Sequence, residues 1–407
     1  MSFLSKLITH NRAIESLVSL RNPPSWFVQL VGGGPTYSGT TVTEEKALSL
    51  TAVWACIDII SNTMATMPLH VNRRLYPVGK ERDIKNPLYD LLHNNPNPEQ
   101  TSFQWRKLTN VHRLLWGAGI SEIEFDDTGT PIALWPLPPW KVRPKRTQKG
   151  SLYYEFNDNA TVKLFQPWEV VVFTTLQTTD EWKSPIQVHR ETIGMAMAVM
   201  EYGSKVFGTG INPAGILSGV SFSDEDTEES IRKKFGDTYS GLNGGKRLML
   251  LEEGVKFERI GLPPVDAQYL ETMRFNLSEI ARIYGVPLYM LADHEKQTSW
   301  GTGIEEQKDG YITFTILPIA TQSEQELNKK LIKDNQRFCE YMTAGLLRGT
   351  LKSRMEAYQK GFSMGMYSPD DLRDMENLNP LSDGQGDIYT IPMNLQSLKN
   401  IDNPSGV

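Results

Sequence analysis

Cysteine is scarce in this chain of 407 residues: there are two, Cys56 and Cys339. Both lie among apolar or helical neighbours, which predicts buried thiols rather than a disulfide framework. Histidine is also sparse. None of His10, His70, His93, His112, His189 and His294 stands at metal-ligand spacing from another histidine or a cysteine. No apolar run is long enough to span a membrane, because the most apolar stretch, Leu48 to Val71, is broken by Asp58, Ser61 and Asn62. The opening Met1-Ser-Phe-Leu-Ser-Lys-Leu-Ile8 lacks the longer apolar core and cleavage site of a signal peptide, so the expected compartment is cytoplasm-like. There is no basic excess either: 42 Lys and Arg stand against 48 Asp and Glu, a net charge of −6. A tight nucleic-acid binder usually carries a basic face, so any contact with DNA is expected to be loose or local. No internal repeat or long low-complexity tract is visible.

Catalytic signatures are missing as well. Around Ser218 the run Gly215-Ile-Leu-Ser-Gly219 does not match the Gly-x-Ser-x-Gly elbow. Gly241-Leu-Asn-Gly-Gly-Lys-Arg247 lacks the hydroxyl residue that follows the lysine of a phosphate-binding loop, and reads as a hairpin turn. The acids Asp224-Glu-Asp226 and Glu305-Glu306 sit where helices begin, and capping accounts for them. The expectation is a protein without a cofactor or metal, and not an enzyme.

What is present is an ordinary globular composition, 39% hydrophobic and 22% charged, long enough for two or three domains. Residues 1–44 carry linker chemistry in Pro23-Pro24, Gly32-Gly-Gly-Pro35 and a Ser/Thr-rich stretch, and such an arm can order against a neighbouring subunit. Ala47–Met67 reads as a helix with Leu50, Val53, Trp54, Ile57, Ile60 and Met64 on one face, followed by a strand over Leu69–Leu75. Asn86–Leu92 and Phe103–Trp116 are further helices. From Gly119 to Phe173 short strands separated by turns take over, giving an α+β domain. Trp135-Pro-Leu-Pro-Pro-Trp140 is too rich in proline to sit centrally in a sheet. Ile186–Phe207 reads as one long helix whose methionines suit either a core or a subunit interface. Asn212–Gly261 reads as a strand–helix–hairpin insertion between that helix and the next.

The most distinctive stretch runs from Pro263 to Ile332. Leu270, Met273, Leu277, Ile280 and Tyr284 recur at helical spacing, and Gly285 with Pro287 ends the helix. A polar loop follows, His294-Glu-Lys-Gln-Thr-Ser-Trp-Gly-Thr-Gly303. A second long helix then opens, with Pro318 inside it, and a proline there is expected to kink the helix rather than stop it. Phe338–Leu347 reads as strand and turn, Leu351–Phe362 as a helix, and Ser368-Pro369 caps another. The tail after Asn394 is polar.

Several of these stretches resemble the tailed-bacteriophage portal proteins of the HK97-like family. They are Ala47-Leu-Ser-Leu-Thr-Ala-Val-Trp-Ala-Cys56 through Met67-Pro-Leu69, and Asn86-Pro-Leu-Tyr-Asp-Leu-Leu92 with Pro96-Asn97. Leu250-Leu-Glu-Glu-Gly254 with Asp266-Ala-Gln-Tyr-Leu-Glu271 and Ile280-Ala-Arg-Ile-Tyr-Gly-Val-Pro287 is the most specific. Thr298-Ser-Trp-Gly-Thr-Gly-Ile-Glu-Glu-Gln307 leading to Leu317-Pro318 is nearly as good. Two stretches depart from the family pattern, Gly117-Ala-Gly-Ile120 and Trp182-Lys-Ser-Pro185.

The resemblance implies a ring of about twelve copies at one capsid vertex, built with heterologous contacts, through which double-stranded DNA is packaged and ejected. It implies partners in the large terminase ATPase, the head–tail connector proteins and the major capsid or scaffold protein, with no membrane. Assembly would occur in the bacterial host cytoplasm. Under it, residues 45–185 and 337–350 would be the wing, 186–208 and 263–286 the stem helices, and 209–262 the clip. Residues 304–336 would be a kinked helix and 351–393 the crown, between a flexible arm at 1–44 and a disordered tail at 394–407. The region 287–303 would hold the tunnel loop, with Lys296, Gln297, Thr298, Ser299 and Trp300 facing DNA. Clip acids Asp224, Glu225, Asp226, Glu252 and Glu253 would meet the terminase or connector. A phage nuclease or hydrolase, or another ring-forming connector, is the alternative.

Overall fold

The computed structural model describes residues 36–158, 161–178, 181–209, 216–218, 256–258, 265–293, 302–343, 346, 351–376 and 378–389. The chain divides into two compact units, residues 1–298 with 313–341, and residues 299–312 with 342–407.

The first unit is α+β. After a short helix α1 (Glu44–Ala47), helix α2 (Thr51–Thr66) buries Val53, Cys56, Ile57, Ile60 and Met64. Trp54, expected on the same face, is half exposed, because it lies about 100° round the helix from Val53 and falls on the edge of the stripe. Strand β1 (Leu69–Arg74) pairs with β2 (Lys80–Arg82). Helix α3 (Pro87–His93) opens on Asn86, whose side chain accepts from the Leu88 N–H.

Helix α4 (Ser102–Trp116) starts with a reciprocal cap between Thr101 and Gln104 and ends at Gly117, φ +89°. Only a residue without a side chain suits that left-handed closure so close to neighbouring backbone: a Cβ at Gly117 would lie 2.7 Å from Ser184 N. Helix α4 packs on α2 and on strand β3 (Ala118–Phe125). Trp105 is fully buried and donates its indole N–H to Ser121 Oγ at 3.0 Å.

Strands β4 (Pro131–Leu137), β5 (Val142–Arg146), β6 (Leu152–Asn157), β7 (Val162–Phe165) and β8 (Val170–Thr174) follow. They form two antiparallel sheets ordered β4-β3-β8 and β5-β6-β7. Ala118, Ile120, Leu137, Val142, Tyr154, Phe165 and Val170 make one apolar cluster shared by both. The proline-bearing β4 is an edge strand, as its composition requires. A short ribbon pairs β9 (Leu176–Gln177) with β10 (Trp182–Lys183).

The expected single helix from Ile186 is two. Helix α5 (Pro185–Val188) is capped by Ser184 and Gln187, and α6 (Arg190–Thr209) begins after His189, whose backbone leaves the helical region. Strand β11 (Ile216–Ser218) pairs with β12 (Lys256–Glu258). Helix α7 (Val265–Tyr284) packs along α6 and against α2. A Cβ at Gly203 would lie 2.0 Å from Tyr269 Oη, so a larger residue there would displace the tyrosine ring.

The chain is helical again in α8 (Thr302–Tyr311), a π-helical stretch (Ile312–Ile316) and α9 (Leu317–Leu331). Strand β13 (Arg337–Tyr341) adds to the free edge of β1, with Val71 opposite Cys339. Both cysteines are free and buried. In the second unit, α10 (Leu351–Ser363) and α11 (Pro369–Met375) are joined by a turn that lays the Tyr367 ring against Gly361. Tyr358 Oη donates to Glu376 Oε1 at 2.9 Å. Among the described residues no helix is long and apolar enough to cross a membrane.

Candidate functional site

The loop residues Lys296, Gln297, Thr298, Ser299 and Trp300 and the acids Asp224, Glu225, Asp226, Glu252 and Glu253 lie outside the described residues. The elements that lead into and out of the loop are described, and their anchorage is unusual.

Helix α7 ends at Gly285 in the left-handed conformation, φ +66°. A 3₁₀ turn over Leu288–Leu291 then carries the chain towards the loop. On the far side, Pro318 is the second residue of α9, directly after the π-helical stretch. Proline has no N–H for the carbonyl one turn back and its ring crowds that carbonyl, and a widened π turn is one way a helix relieves the conflict. The two ends are tied together: Thr315 in the π stretch donates its hydroxyl to the Gly285 carbonyl at 2.7 Å. That carbonyl belongs to the helix terminus and has no intrahelical donor, so a side chain supplies one.

Helix α9 is held by side chains that satisfy exposed sheet edges. Both β8 and β13 are edge strands, and an unpaired edge N–H needs a partner. Glu326 Oε1 accepts from the Val172 N–H at 3.2 Å, and Glu324 Oε1 from the Tyr341 N–H at 2.8 Å. Asn328 Oδ1 accepts from the Cys339 N–H at 2.6 Å. Burial pushes the Glu324 carboxyl above the ordinary range, while its bond from Tyr341 acts in the opposite sense.

A buried arginine completes the clamp. Arg113 donates from Nε to the Thr174 carbonyl at 3.1 Å, and from the rest of its guanidinium to the Ile319 carbonyl and Ser323 Oγ, each at 3.4 Å, and to Gln322 Oε1. Burial lowers its pKa to about 10, so it stays charged at neutral pH. One side chain of α4 thereby binds β8 and the first two turns of α9 beside Pro318. Sequence reading missed Arg113, since an arginine on an amphipathic helix reads as a solvated residue. The only signal was its place among the apolar positions of α4.

Helices α6 and α7 expose apolar groups. Met195, Met200, Tyr202, Leu270 and Phe275 are open to solvent in the single chain, and Phe314 of the π stretch is 81% exposed. Apolar surface on this scale marks a contact with other molecules.

The chain matches a family of known proteins. The family model described as phage portal protein matches residues 51–377. The chain is 31% identical over 378 residues to the probable portal protein of Streptomyces phage phiC31, covering 89% of this chain and 82% of that one. It is 29% identical over 402 residues to the portal protein of Enterobacteria phage HK97, covering 90% and 92%. Among solved structures, a chain of the native gene transfer agent virion superposes with a TM-score of 0.59 at 19% identity, covering 88% of this chain and 99% of that one. The crystal structure of an HK97 family phage portal protein from Corynebacterium diphtheriae gives a TM-score of 0.54 at 19% identity, covering 75% and 96%. With this match running through the α+β domain, the paired long helices and the π-interrupted helix, the chain belongs to the phage portal protein family.

Proposed function

We propose that copies of this chain close into a ring at one vertex of an HK97-like phage capsid, and that double-stranded DNA passes through the ring during packaging and ejection. The observation that carries the reading is family membership across residues 51–377, together with an apolar surface on long paired helices that a single chain leaves uncovered. The chain acts as a structural portal protein and not as an enzyme. Neck assemblies of the gene transfer agent, solved with twelvefold symmetry, are similar in fold to this chain, and a ring of that order suits a heterologous contact that closes.

In this reading the α+β domain with β13 forms the wing, α6 and α7 the stem, residues 209–262 the clip and α10 with α11 the crown. The loop around residues 294–301 lines the channel. A channel that moves DNA must not grip it, because affinity for phosphates rises steeply with each cationic contact. Lys296 contributes one positive charge per loop, and Thr298 and Ser299 meet phosphates without sequence preference. Trp300 packs the loop against its neighbour, since duplex DNA exposes no base face. Asp224, Glu225, Asp226, Glu252 and Glu253 offer the terminase and the connector an acidic surface. The test is Lys296→Glu in the phage. Rings should form normally while protected DNA per particle falls, and a normal DNA content would remove the loop from the channel.

A further inference from the structure

We propose that the groove between α2, α6 and α7 is filled, in the assembled ring, by the apolar segment Trp26-Phe-Val-Gln-Leu-Val31 of the adjacent subunit. The inference rests on the ring reading above and adds an exchanged arm to it.

The groove has a volume of about 300 Å³ and is lined by Leu50, Met200, Leu270, Met273 and Leu277 among other apolar side chains. Its wall also holds Asn276, which is 4% exposed and whose Nδ2 has no acceptor among the described residues. A buried amide donor without an acceptor is costly, so a site that leaves one open calls for a carbonyl from its occupant. An extended peptide supplies both carbonyls and alternating apolar side chains.

The start of the described chain shows which copy supplies it. Thr36 is buried against α6: a Cβ at Gly194 would lie 2.6 Å from Thr36 Cγ2, and the Tyr37 N–H donates to Glu191 Oε2 at 2.9 Å. Ala196 lines the groove and sits two residues after Gly194, about 200° round the helix. The amino-terminal segment therefore leaves on the side of α6 opposite the groove. Gly32-Gly-Gly-Pro35 links Val31 to Thr36 and reaches roughly 17 Å when fully extended. Returning to the same chain's groove means passing half way round a helix of about 11 Å diameter, roughly 17 Å of path. The same chain's groove is therefore reached only by a spacer drawn fully taut over its whole length. In a ring with heterologous contacts, opposite faces of one subunit meet different neighbours, so the departing segment faces the next subunit's groove directly.

The test is disulfide trapping in the full-length chain carrying Trp26→Cys and Leu270→Cys, with each single variant as control. Cys56 and Cys339 are buried and their thiols are pushed up to about 12, so mild oxidation joins only the introduced pair. Particles are first scored as rings by negative-stain imaging. The expected result is rings whose subunits run, without reductant, as a ladder of covalent dimers and higher multimers, absent from both single variants. Rings that give no ladder, or only a cross-link within one chain, overturn the exchanged arm and leave the ring intact. Absence of rings overturns the ring reading itself, and the arm with it.

Discussion

Thr315 donates its hydroxyl to the carbonyl of Gly285 at 2.7 Å, which ties the end of α7 to the π-helical stretch after α8. Thr315→Val keeps the shape and removes the donor, leaving the helix-terminal carbonyl without it. The expected cost is about 1 kcal/mol, read as a lower urea midpoint at fixed protomer concentration, with Thr315→Ser close to the parent. An unchanged midpoint for the valine variant would show that the bond contributes nothing.

Arg113 is the strongest single clamp on α9. Arg113→Met fills similar space but removes the donor to the Thr174 carbonyl and to Gln322 Oε1, and loses charge-assisted bonds, while the Ile319 carbonyl keeps the Ser323 hydroxyl. A loss of roughly 2–4 kcal/mol is expected. Arg113→Lys should recover only part of it, because an ammonium cannot reproduce the planar fork. Equal stability of the lysine variant and the parent would refute the geometry described for the guanidinium.

Much of this fold was legible from side-chain spacing. Helix α2 shows its buried face at three- and four-residue steps, as does the end of α7 at Ile280 and Tyr284, and Ser368 announces its own cap. The prolines of β4 correctly marked an edge. The strands β5 and β7 were not legible, because Arg143, Lys145 and Lys163 face solvent on short edge strands and leave no alternating pattern. The split before α6 hides in His189, which carries no breaker chemistry. The Arg113 clamp on α9 depends on contacts across more than two hundred residues of sequence, which local pattern cannot reveal. The loop and clip residues were nominated by resemblance, and their roles stand as proposals.

His112 links stability to pH. Its side chain is buried on α4, its Nδ1 has no partner among the described residues, and burial lowers its pKa to about 4. The unfolded chain binds that proton at about 6.5, so between these values the unfolded state holds more protons and stability rises with pH. The contribution is complete above about pH 6.5 and is lost as pH falls to about 4. His70, whose pKa burial and then the His93 charge also lower to about 4, acts in the same sense. Unfolding midpoints measured from pH 7 to pH 4 should fall less steeply for His112→Gln than for the parent. Parallel curves would place the acid sensitivity elsewhere.

Gly119 shows how tightly α4 lies on β3. A Cβ there would sit 2.1 Å from the Thr109 carbonyl oxygen, a backbone atom that cannot swing aside. Gly119→Ala should cost more than the roughly 1–3 kcal/mol typical of overpacking, seen as insoluble expression or a large drop in thermal midpoint. Gly150→Ala tests backbone strain alone, because φ is +84° there with nothing within 4 Å. It should cost about 1 kcal/mol. A Gly119→Ala protein as stable as the Gly150→Ala protein would contradict the close approach.

The account depends most on closure of many copies around an opening. Single-particle imaging of the purified full-length chain at neutral pH measures this directly. The predicted result is a closed ring with a central channel wide enough for a double helix, α6 and α7 of each subunit against its neighbours, and Lys296 on the channel wall. A monodisperse single subunit, or a ring with Lys296 on its outer surface, would contradict it.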